Sequence, residues 1–304
     1  MKKIATKTIS LVSIISILLN TTVFAVETSK EELLSTPSEI YTYEQFETAI
    51  SQAEEEIHQQ YYDALEDALD NNNIVNYNQL AHAMAIERSL AVEDVLREFG
   101  FEKITNGTNI TPMSSSNDLS WTAEDAYYNP SEDIYVYTVD WEFAWAKWDE
   151  LYDIPDLVGV SMTNPDDYYI LKAYAKTWDS TGKESGYVDE YGNGASDSKI
   201  SKRAEDAEGV IYDVIDMASY LSAPHCTASQ GRITLVVKQK VGTTGTPQNK
   251  FIASYEHNYK EGTLEIGAEV ESAGFSSITG LLKVSYKIEN KNWLRASGGK
   301  VIGA

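Results

Sequence analysis

Residues 135–145 read YVYTVDWEFAW. Every second side chain is large and apolar: Tyr135, Tyr137, Val139, Trp141, Phe143 and Trp145. Successive side chains of a strand point to opposite faces, so a period of two puts these six on one face. The other face holds Val136, Thr138, Asp140, Glu142 and Ala144 and is solvent-like at its centre. This predicts a strand over 134–146 with one buried and one wet face, as an antiparallel sandwich requires. A helical reading competes: Trp141, Trp145, Trp148 and Tyr152 fall at i, i+4, i+7 and i+11, with Asp140 as N-cap. The Tyr, Val, Ile and Thr content of 133–141 favours the strand. So large an apolar face is seldom left in water, so the stripe reads as core. Its last members, Trp145 and Trp148, are the candidate binding aromatics, at the sandwich edge.

Downstream, the same period marks strands at 156–162, 169–178, 185–191, 210–215, 233–241, 251–259, 263–270 and 278–288, punctuated by Gly, Pro, Asn and Asp. Short strands at this spacing predict an antiparallel β-sandwich or barrel over 121–304. One pairing is strongly specified. Leu264 against Ile288, Ile266 against Tyr286, Ala268 against Val284 and Val270 against Leu282 make an apolar face. The same register sets Glu265 opposite Lys287 and Glu269 opposite Lys283. Amphipathic hairpins of this kind also occur in membrane-inserting barrels, where the apolar face meets lipid.

Upstream, the period becomes helical. Thr42 and Gln45 suit a capping box, and Phe46, Ile50, Ala53, Ile57, Tyr61, Ala64 and Ala68 recur on one face. The DNNN at 70–73 ends that helix; a second runs from Tyr77 to Phe99, with Gly100 as its C′ residue. Residues 43–103 therefore read as an antiparallel helical hairpin, whose single seam needs a further surface to pack on. The Thr-, Asn-, Ser- and Gly-rich stretch 104–120 reads as a linker and 26–42 as a flexible acidic segment. The fold class is thus α+β: an N-terminal hairpin, then a mainly antiparallel sandwich.

Residues 1–25 have the three parts of a secretory signal: Lys2, Lys3 and Lys7, an apolar run over 9–19, and Val23 and Ala25 at −3 and −1 of a cut after Ala25. The apolar run is shorter than the ~20 residues a spanning helix needs. No cysteine follows it to take a lipid, and the C-terminus has no hydrophobic tail, so the expected location is extracellular, in free form. The lone cysteine, Cys226, gives no disulfide framework.

Charge excludes one class of partner. Residues 26–117 carry 18 acids and 4 bases, residues 118–230 carry 23 and 7, and residues 231–304 carry 6 and 10. An acidic body does not bind phosphate backbones, so nucleic acid is excluded. Catalytic and metal motifs are thin. Glu55-x-x-His58 is half of a carboxylate-bridged metal motif without its second copy. His225 and Cys226 are neighbours on an extended chain and face apart; His257 reaches the thiol only through tertiary folding. The loop DEYGNGASDSKI at 189–200 misses an EF-hand at its third and twelfth positions, which leaves Asp189, Asn193 and Asp197 as irregular calcium candidates. No other cofactor is expected. The leading reading is a secreted, non-catalytic interaction protein at the cell envelope, partnered by an extracellular protein or envelope polymer. The alternatives are a pore-forming toxin built on the 263–288 hairpin, which alone implies membrane contact, and a carboxylate-based hydrolase with no favoured acid pair.

Overall fold

A computed structural model of the chain describes residues 37–105, 119–143, 155–218, 225–240, 248–259 and 291–303. The expected signal at 1–25, Trp145, Trp148 and the 263–288 hairpin lie outside the described residues.

Two helices lead. The first is α1, Pro37–Asp70, so Thr42 and Gln45, expected to open the helix, lie within it. Asn72 turns the chain at φ 51°, and Asn73 caps α2, Ile74–Glu98, by accepting the Asn76 N–H at 3.2 Å. Gly100 ends α2 at φ 84°. The Phe101 N–H donates to the Leu96 carbonyl and the Gly100 N–H to the Arg97 carbonyl, the two bonds of a Schellman motif.

The strands are β1 Glu102–Lys103, β2 Leu119–Asn129, β3 Ile134–Phe143, β4 Asp156–Met162, β5 Tyr168–Trp178, β6 Glu184–Val188, β7 Ile200–Asp206, β8 Gly209–Val214, β9 Met217–Ala218, β10 His225–Cys226, β11 Gln230–Gln239, β12 Asn249–Tyr259, β13 Lys291–Ala296 and β14 Lys300–Ile302. One sheet has the order β1-β2-β3-β11-β5-β6; the other is β13-β12-β4-β8-β7, with β14 also on β12. All these pairings are antiparallel. The class is the expected one: a helical hairpin followed by an antiparallel sandwich.

Seven strands, β1, β2, β7, β9, β10, β13 and β14, fall outside the expected set, and the two longest of them show different reasons. β2 contains a register shift between Trp121 and Ala123, which breaks the period of two. β7, ISKRAED, is a polar edge strand with a shift of its own, and edge strands are kept charged to block further pairing.

The apolar stripe of β3 does line the core. Tyr135, Tyr137, Val139 and Trp141 lie between the sheets, with Tyr137 stacked on Phe251 at 4.8 Å and Trp141 5.9 Å from Tyr255. The opposite face of β3 corrects the expectation of a wet side. Val136, Thr138 and Asp140 are buried as well, because the hairpin lies on that face. Phe46, Ile50, Val92, Val95, Leu96 and Phe101 pack there against Tyr127, Ile134, Val136, Tyr174 and Val236. The layers are therefore helices, sheet, sheet.

Candidate functional site

Two strands and the link that follows a third deliver three ligand-type side chains to one point. Asp156 opens β4. β8 pairs with β4 so that Val214 faces Asp156, and Asp216 follows two residues later. β12 pairs with β4 with Glu256 facing Leu157, which brings the next residue, His257, beside Asp156. His257 Nδ1 is 2.7 Å from Asp156 Oδ2 and 3.8 Å from Asp216 Oδ2.

Asp156 has no exposed surface, and a buried carboxylate is tolerated only when hydrogen-bonded. It accepts from the Tyr255 hydroxyl at 2.7 Å, from His257 Nδ1 and from the Asn258 N–H at 2.7 Å. Burial, then the negative charge of Asp156, pushes the Asp216 carboxyl well above the usual carboxylate range, against the pull of His257. Asp216 also shares a side-chain hydrogen bond with Asp156. Phe143 walls the site, 5.9 Å from the His257 ring and 5.1 Å from Tyr255. The two carboxyl groups touch, whereas glycosidase pairs stand ~5–9.5 Å apart across a sugar. This arrangement can hold a proton or a cation; it cannot flank a glycosidic bond.

Cys226 sits behind the site. Its thiol donates to the Asp216 carbonyl at 2.9 Å, and burial pushes its pKa far up. A thiol so placed is structural rather than nucleophilic. Tertiary folding does bring His257 to the same residue that holds Cys226, yet the imidazole turns to the carboxylates.

The other candidates are scattered. Asp189 Oδ1 accepts the Tyr191 and Asn193 N–H groups at 2.9 and 2.7 Å, and Oδ2 takes the Asn193 side-chain amide at 3.2 Å. These bonds close an Asx-type turn. Asp197 is exposed four residues beyond Asn193. His58 packs edge-on to Tyr62 at 5.4 Å, and burial lowers its pKa. His82 pairs with Glu142 at 2.6 Å. Among the described residues, the one grouping of three metal-type ligands is Asp156, Asp216 and His257, all within 4.8 Å of one another. No local spacing announces it, since His257 finds Asp156 at a separation of 101 residues.

A second polar feature joins hairpin to sheet. Arg232 of β11 holds Asp140 of β3 with two bonds of 2.6 Å and also binds Glu54 of α1. Lys176 of β5 donates to Glu54 at 2.9 Å and to Ser51 at 2.7 Å. From α2, Ser89 donates to Asp140 at 2.6 Å, while Arg88 donates to Gln230 at 2.8 Å and stacks over Trp178 at 4.5 Å. Asp140, Lys176 and Arg232 are neighbours across the sheet. Such a row of central-strand charges is the signal in the sequence that a covering layer must answer it.

No protein-family model and no curated protein matches the chain. Among solved structures, twenty chains match. The T6 backbone pilin of serotype M6 Streptococcus pyogenes aligns over 52% of this chain and 29% of its own, at 12% identity and a TM-score of 0.29. A structure from work on pH-induced modulation of Streptococcus parasanguinis adhesion by Fap1 fimbriae aligns over 67% of this chain and 95% of its own, at 10% identity and 0.31. The group B streptococcus pilus 2b backbone protein aligns over 47% and 50%, at 10% and 0.26. The chain thus spans less than a third of the T6 pilin, and likenesses this distant say nothing of activity. No described helix is long and apolar enough to cross a membrane.

Proposed function

We propose that this is an exported, non-catalytic protein-binding module acting at the cell envelope. The observation that carries the reading is the mounting of the hairpin. Buried charges fix α1 and α2 to a rigid sandwich, and the outward side of α2 then exposes Val75 (70%), Leu90 (54%) and Ile86 (40%). These three fall on one helical stripe, and exposed apolar stripes on a rigid support mark protein partners. The acid excess of residues 26–230 disfavours anionic envelope polymers and leaves an extracellular protein as the partner class. The test is a pull-down from surface extracts with the mature chain and with a Val75→Ser, Ile86→Ser, Leu90→Ser triple variant. Capture by the wild type alone, at equal thermal stability, supports the reading; equal capture by both, or by neither, overturns it.

A second reading has its own observation. β12 and β13 pair as far as Tyr259 opposite Lys291, which sets the two ends flanking the 263–288 sequence side by side. That stretch contains the alternating runs 263–270 and 278–288. A membrane-inserting hairpin in that place predicts leakage from dye-loaded liposomes, and tight liposomes at neutral and acidic pH refute it.

A further inference from the structure

We propose that Asp156, Asp216 and His257 form a binding site for one divalent transition-metal ion, with zinc as the favoured ion. The ligand set is mixed, one imidazole nitrogen and two carboxylates, and comes from β4, from β12 and from the link after β8. A tetrahedral zinc ion sits about 2.0–2.2 Å from such ligands, which sets their mutual separations at about 3.4 Å. The observed separations from His257 Nδ1, 2.7 and 3.8 Å, lie on either side of that value.

Charge points the same way. Among the described residues, no lysine or arginine forms an ion pair with Asp156 or Asp216; His257 is the counter-group to both. Two adjoining carboxylates match a dication in charge, and ligands of this kind give up their protons to the metal they bind. The groups that orient the ligands are already in place. Tyr255 and Asn258 hold Asp156, and the Asp216 backbone carbonyl is held by the Cys226 thiol and the Thr227 N–H, at 2.9 and 2.8 Å. Asp216 and His257 keep side-chain exposures of 19% and 12%, so an ion enters from their side and keeps a coordination position open there. Nitrogen with only two carboxylates suits zinc over calcium, which asks for six to eight oxygens.

The test is equilibrium dialysis of the untagged mature chain against zinc chloride, with calcium chloride in parallel, read by elemental analysis and by thermal unfolding. The expected result is one zinc per chain and a raised unfolding midpoint. Asp216→Asn keeps size and the hydrogen bond to Asp156 and so preserves the fold; it is expected to weaken zinc binding about tenfold or more, as is His257→Gln. No saturable zinc binding, calcium binding in its place, or unchanged affinity in folded Asp216→Asn would each overturn the assignment.

Discussion

Replacing Glu54 by Gln tests whether the hairpin is clamped to the sheet by buried charge. Glu54 is 3% exposed and faces Arg232 and Lys176, themselves 4% and 6% exposed. Gln keeps the shape and removes the charge. Removing one partner of a buried ion pair leaves the other charges uncompensated and costs about 3–5 kcal/mol. At roughly 2 °C per kcal/mol for a chain of this length, the unfolding midpoint drops by roughly 6–10 °C. Two features distinguish this from ordinary loss of a surface pair, worth ~0–1 kcal/mol. The first is coupling: in a double-mutant cycle with Lys176→Met, the second substitution costs less once the first is present. The second is pH. Burial alone would raise the Glu54 pKa, but Lys176 and Arg232 outweigh it, and the folded value lies below the usual 4.5. A depressed folded pKa stabilises above the unfolded value and is lost as pH falls through the folded one. The wild-type advantage over Glu54→Gln therefore holds at neutral pH and fades only well into acid. Differential scanning calorimetry across pH measures both. A loss below about 1 kcal/mol at neutral pH would refute the clamp, since that is the size of a solvated pair.

Three further outcomes follow from named contacts. A Cβ on Gly231 would lie 2.0 Å from Trp141 Cζ2, so Gly231→Ala is expected to cost ~1–3 kcal/mol by overpacking and to alter near-UV circular dichroism. Burial raises the Glu47 pKa to about 7 against the pull of Lys176, so the folded state holds an extra proton between pH 4.5 and 7 and loses stability as pH rises through that window. Glu47→Gln is therefore neutral in acid and stabilising by up to about 3 kcal/mol above pH 7, read by chemical denaturation. Cys226, buried with its pKa pushed up, is expected to resist thiol reagents in the native protein and to react at once in denaturant; fast native labelling would show the β9–β10 region open.

Local pattern was informative wherever one element meets one surface. The period of two in Tyr135, Tyr137, Val139 and Trp141 identified core side chains, and the DNNN turn and Gly100 bounded α2. These signals are local because strand alternation, caps and positive-φ glycines act within a few residues. Pattern misled where a second layer arrived from elsewhere in the chain. Asp140 reads as a solvent-facing residue, and its charge is real, but its partners are Arg232 from β11 and Ser89 from α2. No periodicity within β3 encodes a helix laid over its outer face.

The candidate site shows the same division more sharply. The sequence by itself determined the two helices and much of the strand set. Only the tertiary structure decided that Asp156, Asp216 and His257 share one point and that Cys226 stands behind them as a buried thiol. The reason is physical: propensity and period are fixed by neighbours along the chain, whereas a ligand set is fixed by strand pairing, and the register that sets β12 beside β4 spans about a hundred residues.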